Sequence, residues 1–292
     1  MVALRRFGVI LCPIDFSLHS AAGLCSAGGI ARAFGGRVVL LHVQRVEVPV
    51  YFTKSQARDL KAQFRKSARS AWRYASEFAA QQLPAEVKRT ILLREEDPVE
   101  AVLRVAKELH AELVVLGTHG RTGLARIRLG SVTESALRQV EMPVLTLGPR
   151  VLPSPRLAQI RRILCPVNYT PLARAAFDDA VILAEKTGAE VVLAQVAELH
   201  AARRADALSQ RPLEWAGAEA ASRCVLKEVL LKGVAVEQIV SEARRCRADI
   251  IVQGAQPRSF GGTVLFGSTS ELVIRKASCP VLSVIRKPSP HS

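Results

Sequence analysis

The sequence predicts an α/β protein of two tandem domains, each a five-stranded parallel sheet with helices on both faces. Three observations carry that prediction. Short apolar runs alternate with longer helical stretches along the whole chain, the pattern of parallel strands joined by crossover helices. The sequence also repeats itself. And 292 residues, 49% of them apolar, are enough for two cores of ordinary size.

The repeat fixes the organisation. Ile10-Leu11-Cys12-Pro13-Ile14-Asp15 returns as Ile163-Leu164-Cys165-Pro166-Val167-Asn168, with Cys12 and Cys165 offset by 153 residues. Leu113 to Gly117 returns as Ile250 to Gly254, Gly130-Ser131 as Gly267-Ser268, and Met142-Pro143-Val144-Leu145 as Cys279-Pro280-Val281-Leu282, all offset by 137. An offset that falls from 153 to 137 makes the second copy 16 residues shorter, with the loss between its first strand and its glycine-rich loop. Residues 1–149 and 161–292 are expected to be the two domains. The intervening 150–160 is the linker, and three prolines between Pro149 and Pro155 read as extended chain.

In the first copy, Gly8 to Ile14 is apolar throughout, as a parallel strand covered on both faces should be. Ser17 caps a helix of alanines and glycines that runs to Phe34 and stops at Gly35-Gly36. Arg37 to Val43 is the second strand. A long helix is expected from Ser55 to Gln82, with Phe64, Trp72 and Phe78 on its buried side. Arg58, Lys61, Arg65, Lys66, Arg69 and Arg73 then crowd the outer side, a face read first as solvated and second as a nucleic-acid surface. Pro84 ends that helix, and Val87 to Leu93 is the third strand. Asp97-Pro98 opens a helix to His110, Leu113 to Leu116 is the fourth strand, Glu134 to Val140 a helix, and Pro143 to Leu147 the fifth strand. The second copy follows the same order: a strand at 162–167, a helix capped by Thr170 with Pro171 in its first turn, and strands at 191–196, 228–231, 250–253 and 280–285. A helix covers 238–246, and Pro212 interrupts what remains of the long helix.

Composition bounds the function. The net charge of +15 divides as +9 before residue 151 and +6 after it, so no polybasic tail exists and the excess favours anionic ligands without choosing among them. The apolar runs are too short to span a bilayer, and the N-terminal apolar segment, cut by Pro13 and Asp15, lacks a signal-peptide core; a cytoplasmic protein without a membrane role is expected. Six cysteines form no C-x-x-C pair, so they are expected as reduced core residues rather than disulfides or metal ligands.

The stretch from Gly117 to Thr133 carries the chemistry. A glycine-rich loop leaves an apolar strand and delivers Gly130-Ser131 to a helix start, where backbone N–H groups point at an anion. In a doubly wound sheet the ligand sits beyond the carboxyl ends of the strands where their order reverses, which puts Asp15 beside Gly117. Asp15 can accept from a ribose hydroxyl or an adenine edge, or cap the following helix. No Ser-His-Asp order or paired-carboxylate spacing lies near the loop, so no catalytic residue is assigned; His119, inside it, reads as a solvated side chain.

The spacing Gly117-x2-Gly120-x9-Gly130-Ser131, with Asp15 at the end of the first strand, resembles the nucleotide-binding loop of the universal stress protein family, in its ATP-binding branch. The resemblance covers both halves. It implies Rossmann-like domains of the adenine nucleotide alpha hydrolase-like kind and ATP, with Mg2+ as an accompanying ion. It places Pro13, Ile14 and Asp15 at the nucleoside and Val43 at adenine. Leu116, Gly117, Gly120, Arg121, Gly130, Ser131, Val132 and Thr133 then hold ribose and phosphates. The second copy departs from this pattern: Asn168 stands for the carboxylate, Pro257 replaces the second loop glycine after Gly254, and only Gly267 and Ser268 survive. With Gly261-Gly262 loosening its loop, this copy is expected to bind weakly or not at all and to serve as the structural half of an intramolecular pseudo-dimer. The implied role is a nucleotide-dependent stress-response module acting on a protein partner, with a homodimer as a further assembly. Two alternatives stand beside it: a slow ATPase or autophosphorylating protein using Ser131 or Thr133, and a nucleic-acid binder driven by charge, for which the sequence offers no aromatic platform. Related adenylating enzymes need a Ser-Gly-Gly-x-Asp-Ser loop where this chain has Asp15-Phe16-Ser17, which disfavours that class.

Overall fold

The fold is a computed structural model that describes residues 7–44, 53–118, 129–197, 211–255, 257–260 and 263–285. The side chains of 54–67, 257–260 and 263–266 lie outside that description. In the first copy the elements run β1 (Val9–Ile14), α1 (Leu18–Phe34), β2 (Arg37–Val43), α2 (Lys54–Gln82), β3 (Lys88–Arg94), α3 (Pro98–Glu108), β4 (Leu113–Gly117), α4 (Ser131–Gln139) and β5 (Val144–Leu147). The second has β6 (Arg162–Val167), α5 (Pro171–Thr187), β7 (Glu190–Ala197), α6 (Pro212–Ala216), α7 (Ala218–Arg223), β8 (Leu226–Lys232) and α8 (Ala235–Arg245). It continues with β9 (Ile250–Ala255), β10 (Pro257–Phe260), β11 (Thr263–Phe266), α9 (Ser268–Lys276) and β12 (Val281–Ile285).

Ten strands form one sheet in the order β3-β2-β1-β4-β5-β12-β9-β6-β7-β8. Within each copy the neighbours are parallel; where the copies meet, β5 and β12 are antiparallel. Leu145 faces Leu282, its own counterpart in the repeat, so an internal two-fold axis passes between them. Thr146 Oγ1 donates to the Val281 carbonyl at 3.1 Å across the same seam. With β4 on one side and β12 on the other, β5 has no open edge; the sheet ends at β3 and β8.

Alternation along the strands feeds two cores that run through both copies. Ile10, Cys12 and Ile14 join α1 and α5 on one face, and Leu11, Val39 and Leu41 join α3, α4, α8 and α9 on the other. Burial raises the thiols of Cys12, Cys165 and Cys279, the last two to about 12. All six cysteines are free.

The helix starts read from sequence have the expected caps. Ser17 Oγ accepts from the Ser20 amide, Thr170 Oγ1 from Ala173, and Asp97 Oδ1 from Val99. Three expectations need correction. The linker is not extended: Val151 is buried, Pro155–Ala158 form a 3-10 turn, and that turn lies on α1 so closely that a Cβ on Gly29 would sit 2.5 Å from the Ala158 carbonyl oxygen. Arg32 also donates to that carbonyl, at 3.1 Å. Second, Trp72 is not on the buried side of α2. The helix turns Ala75, Phe78 and Ala79 inward and leaves Trp72 52% exposed, while Phe64 lies outside the described side chains. Third, the chain after β9 is not all open loop, although Gly261 and Gly262 themselves lie outside the described residues. Pro257–Phe260 and Thr263–Phe266 pair as an antiparallel hairpin, and β11 lies against α4 of the first copy.

The 16 missing residues are those of α2: 44 residues separate β2 from β3, and 28 separate β7 from β8. The short helices α6 and α7 stand in its place. Phe16 packs edge-on against Tyr74 and Phe78 of α2, and its counterpart Tyr169 packs edge-on against Trp215 of α6. Among the described residues no helix is long and apolar enough to cross a membrane.

Candidate functional site

The site is built where the strand order turns back on itself, between β1 and β4. β1 pairs with β2 at six positions but with β4 only at Ile10↔Leu113 and Leu11↔Val114, so the two strands part toward their carboxyl ends. Pro13 and Ile14 close β1, Val43 closes β2, and Leu116 and Gly117 close β4, all at that end of the sheet. Ile14 and Leu116 are buried; Pro13, Asp15, Val43 and Gly117 are half-buried.

The turn at Asp15 is strained into shape. Phe16 has φ of 64°, an unusual value for a residue with a side chain. Asp15 Oδ1 accepts the Ser17 amide at 3.0 Å and thereby closes the turn into α1. The same device recurs at Asn168, whose Oδ1 accepts from Thr170 Oγ1 at 2.8 Å beside Tyr169 at φ 61°. Either residue type can close this turn, so the carboxylate of Asp15 is more than the turn requires. His42 ties the ends of β1 and β2, its Nδ1 3.0 Å from the Ile14 carbonyl oxygen. A carbonyl only accepts, so Nδ1 carries the proton.

Gly117 has a packing reason of its own. A Cβ there would lie 2.7 Å from the Cβ of His19 in the first turn of α1; a Cβ on Gly254 would lie 2.7 Å from Leu172 Cγ in α5. These glycines let the first helix sit over the strand end in both copies. Beyond Gly117, Thr118 donates both its amide (2.9 Å) and its hydroxyl (3.1 Å) to the Leu147 carbonyl, and its own carbonyl accepts the Gly130 amide at 2.9 Å. The base of the glycine-rich segment is therefore pinned. Residues 119–128, with Gly120 and Arg121, lie outside the described residues.

α4 starts on Gly130, which offers no side-chain cap, and its first intrahelical bond runs from the Glu134 amide to the Gly130 carbonyl. The amides of Ser131, Val132 and Thr133 precede the first possible i−4 partners, and they give the helix start its positive character. Ser131 is exposed and Val132 half-buried. Two of the groups expected at phosphate are used elsewhere: the Gly130 amide bonds Thr118, and the hydroxyl of Thr133, 2% exposed, donates to the Gly117 carbonyl at 2.9 Å. Among the described residues, the groups left at this helix start are the three amides and the Ser131 hydroxyl.

In the second copy Asn168 is exposed at the end of β6, and Gly267 and Ser268 begin α9 as Gly130 and Ser131 begin α4. Ser270 Oγ donates to the Gly254 carbonyl at 3.2 Å, the bond that Thr133 makes. What differs is the connection: Pro257 opens β10 opposite Phe266, and the backbone there pairs within the hairpin. His42, Thr118 and Phe16 are positions to which the sequence alone assigned no role. For His42 the signal existed: its counterpart Gln195 is also polar within an apolar strand, and it accepts the Tyr169 hydroxyl at 2.8 Å. Among the described residues no cluster of His, Cys, Asp and Glu could hold a metal ion.

Comparison with known proteins bears on the fold and the family. The family model described as "Universal stress protein family" matches residues 6–147 and again 159–284. A universal stress protein of Mycobacterium tuberculosis is 25% identical over 298 aligned positions, covering 95% of this chain and 97% of its own length. One from Methanocaldococcus jannaschii is 28% identical over 138 positions, 47% of this chain and 80% of its own. Among solved structures, a universal stress protein from Archaeoglobus fulgidus superposes with a TM-score of 0.72 at 21% identity, covering 96% of this chain and 99% of that one. Two matches of one family model account for both halves of the repeat, and the chain belongs to the universal stress protein family.

Proposed function

We propose that the first half of the chain, residues 1–149, holds ATP, with Mg2+ where the phosphates recruit it, and that the second half, residues 161–292 beyond the linker at 150–160, binds nucleotide weakly or not at all. On this reading the protein is a nucleotide-dependent signalling module of the stress response. Occupancy, rather than turnover, alters the surface offered to a protein partner. The observation that carries the reading is α4: an uncapped helix start on Gly130, anchored through Thr118 and Thr133 to the end of β4, beside the parting of β1 and β4. Asp15 supplies a carboxylate for the nucleoside at the neighbouring strand end. In the second half Asn168 takes that place, and the hairpin replaces the loop.

The reading of a slow ATPase or autophosphorylating protein narrows to Ser131. The Thr133 hydroxyl is buried and bonded to the Gly117 carbonyl, so phosphorylation there would first have to break the anchor of α4.

Ser131→Glu tests the proposal in the intact chain. A glutamate at the first position of a helix favours the helix dipole, so the fold is kept, while its charge meets the phosphates head on. Calorimetric titration with ATP should show affinity lowered at least tenfold in Ser131→Glu and unchanged in the matching Ser268→Glu. Equal loss in both, or loss only in Ser268→Glu, would place the nucleotide elsewhere.

A further inference from the structure

We infer that the outer face of α2 is a docking surface for single-stranded nucleic acid, gripped by Arg69 and Arg73 and stacked on Trp72. The inference is independent of the nucleotide site and starts from the side of α2 that the fold does not use.

α2 spans 29 residues, and the packing of its C-terminal part is settled by Ala75, Phe78 and Ala79, which enter the core beside α1 and β3. Arg69 and Arg73 point away from that packing side, Trp72 and Tyr74 stand at its two edges, and all four are exposed. Trp72 and Tyr74 leave 52% and 53% of their surface in water. Tyr74 is braced by Phe16, whose ring centroid is 4.7 Å away; for Trp72 no ring partner is described. In α2 as a whole, seven Lys or Arg stand against Asp59 and Glu77, a third of the net charge of the protein in one helix. Arg89 on β3 adds to it: it is exposed two residues before Ile91, on the sheet face that α2 covers. The second copy lacks this element, since its 16 missing residues are those of α2 and α6 and α7 fill the gap. An element present in one copy only, basic and carrying a half-exposed indole, is not required by the repeat fold.

The chemistry selects the partner. Arg69 is one helical turn from both Trp72 and Arg73, so its guanidinium lies next to the indole on the helix surface and Arg73 extends the basic side beyond it. Guanidinium takes phosphate oxygens in paired hydrogen bonds, and indole stacks on any base. A duplex keeps its bases stacked on each other and offers Trp72 no face. A bilayer needs an apolar helix side turned outward, and here that side is in the core. An acidic protein would satisfy the arginines and leave the indole unused.

The test uses the full chain and a fluorescein-labelled dT or rU oligonucleotide of about 12 nucleotides, read by anisotropy across a salt series. The expected result is binding that weakens with salt. Trp72→Ala should lower affinity about 5- to 150-fold, the range of one to three kcal/mol per stacked base. Trp72→Phe should restore part of it. Arg69→Ala with Arg73→Ala should reduce the slope of log affinity on log salt by about 1.4. Trp72 is exposed, so unchanged melting of Trp72→Ala keeps folding out of the result. Ser131→Glu should leave oligonucleotide affinity untouched, which separates this surface from the nucleotide site. Absence of binding at low salt, wild-type affinity in Trp72→Ala, or tighter capture of polyglutamate than of the oligonucleotide would each overturn the inference.

Discussion

Asp15 and Asn168 occupy one position in two copies of one turn, and the comparison isolates what a carboxylate adds. Both residues offer an Oδ1 that closes the turn into the following helix. Replacing Asp15 with Asn should therefore leave stability within about 0.5 kcal/mol of the parent in urea unfolding. A hydrogen bond to a charged group contributes about 1.5–3 kcal/mol, so the same variant should bind ATP roughly ten- to hundredfold more weakly by calorimetry. Unchanged ATP affinity would reduce Asp15 to a capping residue. At this scale the sequence could be read only for identity and place. Asp15, Gly117 and Gly130 stood out because they recur or fail to recur in the repeat. That the Gly117 position is closed by His19, or that Thr133 turns its hydroxyl inward, depends on where α1 and α4 come to rest. No spacing along the chain encodes that.

Elements were more legible than residues because their signals are local. Ser17, Asp97-Pro98 and Thr170-Pro171 mark helix starts by chemistry that acts within four residues, and all three caps form. Trp72 stands three and seven positions before Ala75 and Ala79, at the edge of their stripe, and period alone cannot tell that the core closes over the alanines and leaves the indole half in water. The hairpin of β10 and β11 was not legible, because Pro257-Arg258-Ser259-Phe260 is not an apolar or alternating run on its side of the pairing. The linker shows how small residues position whole elements. Gly to Ala inside a helix usually stabilises by about 0.5–1 kcal/mol. At Gly23 the added methyl would meet its nearest atom, Val115 Cγ1, at 3.5 Å, an ordinary contact, and that gain is expected. At Gly29 it would sit 2.5 Å from the Ala158 carbonyl oxygen, so Gly29→Ala should destabilise, by about 1–3 kcal/mol in urea unfolding, and expose the chain near Arg156 to trypsin. Stabilisation at both positions would mean that the linker turn does not rest on α1.

At the scale of the molecule, duplication has moved an edge inside. Each copy ends its sheet in a short apolar strand: Val144, Leu145 and Leu147 of β5, and Val281, Leu282 and Val284 of β12, all but fully buried. Exposed edges of that kind invite pairing with another chain. Antiparallel pairing about Leu145 and Leu282 is self-complementary, because each strand presents to the other the same positions of the repeat. An isolated first half would leave β5 open and could rebuild the seam only with a second copy of itself. The edges left in the intact chain are guarded differently: β3 exposes Lys88 and Arg89, and β8 exposes Lys227 and Lys232, charges that disfavour strand addition. Two outcomes follow for light scattering coupled to size exclusion. Residues 1–149 expressed alone should run as a dimer, and the full chain as a single copy. Substituting Leu145 with lysine in the isolated half should convert it to monomer, because two lysines would then face each other across the rebuilt axis. A stable monomeric half with Leu145 intact would show that the seam between β5 and β12 holds only because the linker delivers it.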